Sequence, residues 1–151
     1  IFLEYKINII WNSNTAGPFP LGYTGFGDIF VVFFFGPVAV GGTYYIQSFN
    51  INWIVLLAGF APGFISTAIL TVNNLRDIYT DRKAGKKTLA VRFGKTFTRL
   101  EYFICLFIAC LIPLLIYLLD NEHSNLIFTS LILLIAFPAI RIKKASRAFK
   151  A

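Results

Sequence analysis

The chain has 151 residues, of which 57% are hydrophobic, 17% aromatic and only 14% charged. Soluble domains carry roughly a quarter charged residues, so this composition excludes a disordered, collagen-like or disulfide-stapled chain and points to an integral membrane protein in a lipid bilayer. The net charge of +7 would suggest nucleic acid as the partner of a soluble protein, but the placement of the charges excludes it.

Residues 1–14 are mixed: Ile7, Ile9 and Ile10 are interrupted by Glu4, Lys6, Asn8, Asn12 and Asn14, too polar and too short to span. The chain opens on Ile1 and has no methionine, which reads as a fragment. Residues 17–28, GPFPLGYTGFGD, contain six Gly or Pro and predict an irregular loop. Residues 29–47 form the first predicted span, uncharged, with Gly36, Pro37, Gly41 and Gly42 inside it. A short turn follows at 48–52. The second predicted span, 53–72, carries Gly59-Phe60-Ala61-Pro62-Gly63. That is a GxxxG pattern with a proline in it, predicting close helix packing and a kink. Trp53, Tyr44 and Tyr45 suit the aromatic belt at that interface.

Residues 73–99 are polar. The third predicted span is 101–119, and T-x-x-E at Thr98 and Glu101 reads as a capping box that starts its helix near Thr98. Cys105 and Cys110, five apart in this run, lack a metal spacing and read as small apolar residues. Residues 120–124 form a turn with two acids, in which His123 reads as a solvated residue. The fourth predicted span is 125–140, and a basic amphipathic tail begins at Arg141. The fold class is therefore all-α, a membrane helical bundle of about four spans.

Eight of the 14 Lys and Arg lie between Arg76 and Arg99, five between Arg141 and Lys150, and the last is Lys6. Residues 48–52 and 120–124 hold none. The positive-inside rule puts both chain ends and the loop 73–99 in the cytoplasm of a multi-pass plasma (inner) membrane protein.

The chemistry is concentrated in NNLRDIYTDRKAGKKTLAVRFGKTFTR, residues 73–99. Asp77 and Asp81 are spaced i, i+4. A helix continuing from Asn73 to Ala84 would stack Asn73, Asp77 and Asp81 on one face, with Asn74 beside them. Like charges at that spacing destabilise a bare helix, and a divalent cation, or a basic partner, would remove the penalty. Mg²⁺ takes one or two carboxylates and completes its shell with water and phosphate. Gly85 is placed to cap the helix, after which Lys86, Lys87 and Arg92 offer cationic groups. A diphosphate with a greasy tail would use both the charges and the apolar bundle. A solvated loop with ordinary ion pairs, Asp77 to Arg76 or Asp81 to Lys83, accounts for the spacing equally well.

The block NNLRDIYTDRKAGKKTLAVRFG resembles the second aspartate motif of the UbiA superfamily of intramembrane aromatic prenyltransferases. It is most similar to the branch that prenylates 1,4-dihydroxy-2-naphthoate in menaquinone biosynthesis. GPFPLGYTGFGD followed by FFGPVAVGGTYY supports that branch, and the resemblance covers roughly residues 17–99. It implies a nine-span bundle with two aspartate motifs holding Mg²⁺ and a prenyl diphosphate. Asp77 and Asp81 would then be the catalytic metal ligands, and Asn74 would belong to the same site. Lys86, Lys87 and Arg92 would lie near the diphosphate, and Tyr23 with Gly22 near the aromatic acceptor. The implied reaction breaks the allylic C–O bond to diphosphate. The electron-rich ring attacks the resulting cation and loses its carboxylate as CO₂, towards demethylmenaquinone. The first aspartate motif has no counterpart in this sequence. The chain therefore reads as the C-terminal half, spans five to eight, inactive without the N-terminal half. The rival readings are another UbiA-type prenyltransferase or a non-catalytic truncated membrane fragment. A transporter fits least, because no charge is expected inside a span.

Overall fold

Lipid offers backbone N–H and C=O groups no partner, so a long apolar run must satisfy them within its own helix. The computed structural model describes residues 25–119, and the three apolar runs within that range are helical. The first comprises α1 (Gly27–Phe33), a π-helical turn (Phe34–Val38) and α2 (Ala39–Ser48). The second is α3 (Trp53–Arg76), which leads into the short α4 (Ile78–Lys83). The third is α5 (Leu89–Leu119). These stretches of 22, 24 and 31 residues are long and apolar enough to cross a membrane. At 1.5 Å per residue, the 24 residues of α3 extend about 36 Å, against roughly 30 Å of hydrocarbon. The segments 1–14 and 125–140, the turn at 120–124 and the basic tail lie outside the described residues.

The turn between α2 and α3 is held locally. Phe49 takes the left-handed conformation (φ 51°) that ends α2. Asn52 caps α3, its side-chain oxygen accepting from the Ile54 N–H at 2.9 Å.

α3 lies between its two neighbours. Its small residues Gly59, Gly63, Thr67 and Thr71, four apart, are buried. A Cβ on Gly59 would lie 2.8 Å from Pro37 Cα, one on Gly36 would lie 2.9 Å from the Gly59 carbonyl oxygen, and one on Gly63 would collide with the Val32 carbonyl. The GxxxG pattern thus brings two backbones into contact, as expected. The expected kink at Pro62 takes a different form: α3 is continuous through Pro62, and the break falls in the partner at Gly36 (φ −98°, ψ −115°). Gly36 tolerates that conformation, and the following Pro37 has no N–H to lose from the ladder. On the other side, α5 buries Thr98, Cys105, Ala109, Ile112 and Ile116 along one stripe. Cys110 is also buried, and both thiols are unpaired.

The expected start of this last helix is corrected. α5 begins at Leu89, with Thr88 as its cap: Thr88 Oγ1 accepts from the Val91 N–H at 3.3 Å, and its carbonyl from the Arg92 N–H at 3.0 Å. Thr98 is fully buried within the helix and donates its hydroxyl to the Gly94 carbonyl at 2.9 Å. The T-x-x-E box does not form because the segment that resumes after Gly94 already includes Thr98, whose hydroxyl is engaged by the Gly94 carbonyl. Gly94 interrupts α5 (φ 79°, ψ −179°), separating a first turn at 89–93 from the long segment that follows.

Gly63→Ala is expected to cost about 1–3 kcal/mol, because the added methyl must push the two backbones apart. Gly42, where a Cβ meets nothing within 4 Å, serves as the control, since Gly42→Ala is expected to hold or raise stability. Thermal unfolding in detergent measures both, and an unchanged Tm for Gly63→Ala would contradict the close approach.

Candidate functional site

The end of α3, α4 and the start of α5 come together at one end of the helices. The single helix expected from Asn73 to Ala84 is bent at Asp77 (φ −95°, ψ 10°), where α3 ends and α4 begins. The helical hydrogen bonds continue across the bend: Asp77 N–H to the Asn73 carbonyl and Asp81 N–H to the Asp77 carbonyl, both 2.9 Å. The acids therefore remain one turn apart in different settings. The Asp77 side chain is 42% exposed, that of Asp81 only 10%.

α4 ends as the sequence predicts. Gly85 is left-handed (φ 73°). Its N–H donates to the Arg82 carbonyl at 3.2 Å, and the Lys86 N–H to the Asp81 carbonyl at 3.0 Å, the paired bonds of a Schellman ending. That ending turns Lys86 back over its own helix, where Nζ meets Asp81 Oδ1 at 2.9 Å. Lys86 is thus tied to Asp81 through both backbone and side chain.

Of the two ion pairs offered by the spacing alone, one forms and one does not. Arg76 holds Asp77 through two bonds, Nε to Oδ1 at 2.8 Å and a terminal nitrogen to Oδ2 at 2.9 Å. Asp81 pairs with Lys86, not Lys83. Hydrogen bonding from Arg76, more than its charge, holds the Asp77 carboxyl below the ordinary range, and the charge of Lys86 reaches Asp77 as well. Lys86 therefore acts on both acids.

The remaining candidates are arranged less tightly. Lys87 is exposed, and its carbonyl lies against Gly25, whose Cβ position is 3.7 Å from the Arg92 guanidinium. The 17–28 block thus ends on the basic segment. Asn74 is half-buried. Tyr23, with Gly22, lies outside the described residues. Lys95 braces α4 against α5, donating to the Tyr79 hydroxyl at 3.1 Å with its charge 4.9 Å from that ring's centre. This hydrogen bond lowers the Tyr79 phenol's pKa.

The donor chemistry fits a hard cation. No cluster of three or more His, Cys, Asp or Glu exists among the described residues. Two carboxylates one turn apart match the way Mg²⁺ is held, with water and phosphate completing the shell.

The sequence reading missed Asp28 and misplaced Glu101. Asp28 is 6% exposed in α1, with Oδ1 buried and unpartnered. Glu101 is half-buried in α5. The expectation of no charge inside a span is therefore corrected. The helix begins before the apolar run, and α3 packs over Asp28, with Thr67 Oγ1 donating to its carbonyl at 3.3 Å. A lone acid directly ahead of an uninterrupted apolar run was the available signal.

Residues 9–150 match the UbiA prenyltransferase family. The 1,4-dihydroxy-2-naphthoate octaprenyltransferase of Haemophilus influenzae is 41% identical over 126 residues, covering 83% of this chain and 40% of that protein. The protein of the same name from Mycobacterium tuberculosis is 51% identical over 88 residues, 58% of this chain and 30% of that one. Human UbiA prenyltransferase domain-containing protein 1 is 34% identical over 104 residues, 69% of this chain and 30% of that one. The chain thus spans at most about two fifths of these curated relatives. No solved structure matches.

Gly85→Ala is expected to cost about 1–2 kcal/mol, because the left-handed conformation is strained for any residue with a Cβ. The cause is conformational, since the Cβ position is open. The Lys86 amide should then exchange with solvent about 5–30 times faster, which hydrogen exchange detects. Unaltered protection would exclude the Schellman ending.

Proposed function

We propose, from the premise that this chain belongs to the UbiA prenyltransferase family, that it carries a carboxylate site of a polyprenyl transferase. The enzyme would move a polyprenyl group from a prenyl diphosphate to 1,4-dihydroxy-2-naphthoate in menaquinone biosynthesis. One observation carries the reading: Asp77 and Asp81 lie one turn apart, with Lys86 bonded to Asp81, where α3 runs into α4 at the end of a membrane-length helix. Two carboxylates suit a hard cation, an ammonium suits phosphate, and the apolar helices suit the prenyl tail. The acceptor is taken from the names of the bacterial relatives.

Asp77 and Asp81 would hold Mg²⁺, with Asn74 offering an amide oxygen beside them; the bound ion would supply positive charge against the departing diphosphate. Lys86, Lys87 and Arg92 add cationic groups at the same end, where charge develops as the allylic C–O bond breaks. Tyr23 belongs in this reading to the acceptor side. The apolar helices keep water from the allylic cation.

All 14 Lys and Arg fall in segments assigned to one side. This supports a multi-pass inner-membrane protein with the loop 73–99 and both ends in the cytoplasm. Cysteines introduced across 83–97 should react only from the cytoplasm and one at position 123 only from outside; the reverse pattern would overturn this orientation.

The activity test uses membranes carrying the chain together with the N-terminal region of the Haemophilus influenzae relative. Given Mg²⁺, 1,4-dihydroxy-2-naphthoate and a long prenyl diphosphate, the pair should form prenylated product and the chain alone should not. Asp81→Asn in the pair should lower kcat by at least about 10²-fold without affecting membrane insertion. Near-normal turnover by that variant would remove Asp81 from the site, and robust turnover by the chain alone would remove the need for a complementing half.

A further inference from the structure

We infer that Lys86 stands in the metal's place on Asp81, so that this end of the protein takes up a divalent cation and a diphosphate together and either one poorly alone. The inference rests on the proposed diphosphate site and adds to it a partner exchange.

The argument starts from burial. The Asp81 side chain is only 10% exposed and that of Lys86 35%. A carboxylate so withdrawn from water is costly to leave unpaired. Without a ligand, Lys86 neutralises it at 2.9 Å. The lysine is held there by construction, because the Schellman ending bonds its N–H to the Asp81 carbonyl at 3.0 Å. Only the flexible four-carbon stem is left to move, and it carries the ammonium in an arc around a fixed point. Lys86 bonds to Asp81, while Asp77 one turn earlier keeps its own partner in Arg76.

A lone divalent cation approaching Asp81 must displace this ammonium and is repelled by it. A lone diphosphate meets two carboxylates whose countercharges are already engaged, Asp77 with Arg76 and Asp81 with Lys86. When both arrive, Lys86 can swing from carboxylate to phosphate as the cation takes Asp81. No buried charge is left uncovered at any stage. Each ligand then raises affinity for the other by the same factor, since coupling between binding sites is reciprocal.

The sign of one mutational effect separates this from an ordinary phosphate-binding lysine. The test uses the full 151-residue chain in lipid vesicles, with Mn²⁺ as the metal probe read by electron paramagnetic resonance. Inorganic diphosphate, in the presence of a metal chelator, is the separate anion probe. Lys86→Gln should bind Mn²⁺ about 10-fold more tightly than the unaltered chain, within the usual range of coupling factors of about 5–150, and should bind diphosphate more weakly. Lys83→Gln removes one positive charge from the same short helix, whose exposed Lys83 does not pair with Asp81. It should change Mn²⁺ affinity less than about 2-fold, which controls for net charge. Lys86→Arg, which keeps the countercharge and guards against a folding defect, should bind Mn²⁺ as the unaltered chain does.

Unchanged or weaker Mn²⁺ binding by Lys86→Gln overturns the inference, as does the absence of Mn²⁺ binding in every variant. The same gain in Lys83→Gln also overturns it, because a general field effect would then explain the result. Failure of the proposed function reads differently: no prenylation of the naphthoate by the complemented pair, with the Lys86→Gln gain intact, removes the acceptor assignment and leaves the exchange standing. Prenylation without the gain does the opposite.

Discussion

Two backbones in contact set the geometry on which the rest of this protein is arranged. Helices in lipid have no hydrophobic gain to draw them together, since the tails are as apolar as the side chains. They associate through close dispersion contact, which small residues permit. Gly59 and Gly63 let α3 meet the first helix at Val32, Gly36 and Pro37 with no side chain between them. Thr67 and Thr71 continue the same line, their hydroxyls returned to carbonyls of their own helix at 3.0 and 2.9 Å. The stripe of small residues thus carries no unsatisfied hydroxyl into the interface. Because α3 is held from both sides and runs on to Arg76, the acids beyond it start from a fixed point.

That fixed point matters because electrostatics at the end of the helices depends on position. Asp77 and Asp81 are four residues apart, yet the bend at Asp77 leaves one in water and turns the other under Lys86. In high dielectric, an exposed pair such as Arg76–Asp77 exchanges easily with solvent and ions. The more withdrawn Asp81–Lys86 pair is a different object, because removing Lys86 uncovers a carboxylate that water does not reach well. One motif therefore holds a labile acid and a committed one. Their difference comes from burial and not from residue type.

Asp28 and Glu101 show the same principle without resolution by a countercharge. Asp28 is buried where α1 packs on α3, Glu101 is half-buried in α5, and no lysine or arginine forms an ion pair with either among the described residues. A buried acid such as Asp28 is tolerated only where the surrounding packing over-determines it. Here that packing is the contact of α3 with α1 that also sets the acid motif, which ties the buried acid to the same architecture.

The local chemistry of the chain was legible from residue order alone, because it depends on neighbours a few positions apart. Apolar runs of span length become helices since lipid leaves the backbone no other partner. Gly59-x-x-x-Gly63 brings backbones together, and Gly85 ends α4 because its left-handed turn needs no Cβ. Partner choice was not legible. T-x-x-E at Thr98 is a sound capping signal, but the segment resuming after Gly94 already includes Thr98, whose buried hydroxyl bonds to the Gly94 carbonyl instead. Lys83 and Lys86 are both within reach of Asp81 in sequence, and only the Schellman turn delivers Lys86. Asp28 reads as the end of a loop until α3 packs over it. Residue order determined the apolar helices, the glycine ending of α4 and the charges the segments carry. The tertiary structure alone decided which charges meet and which are withdrawn from water, because those energies depend on distance and burial, which emerge only when separate helices are brought together.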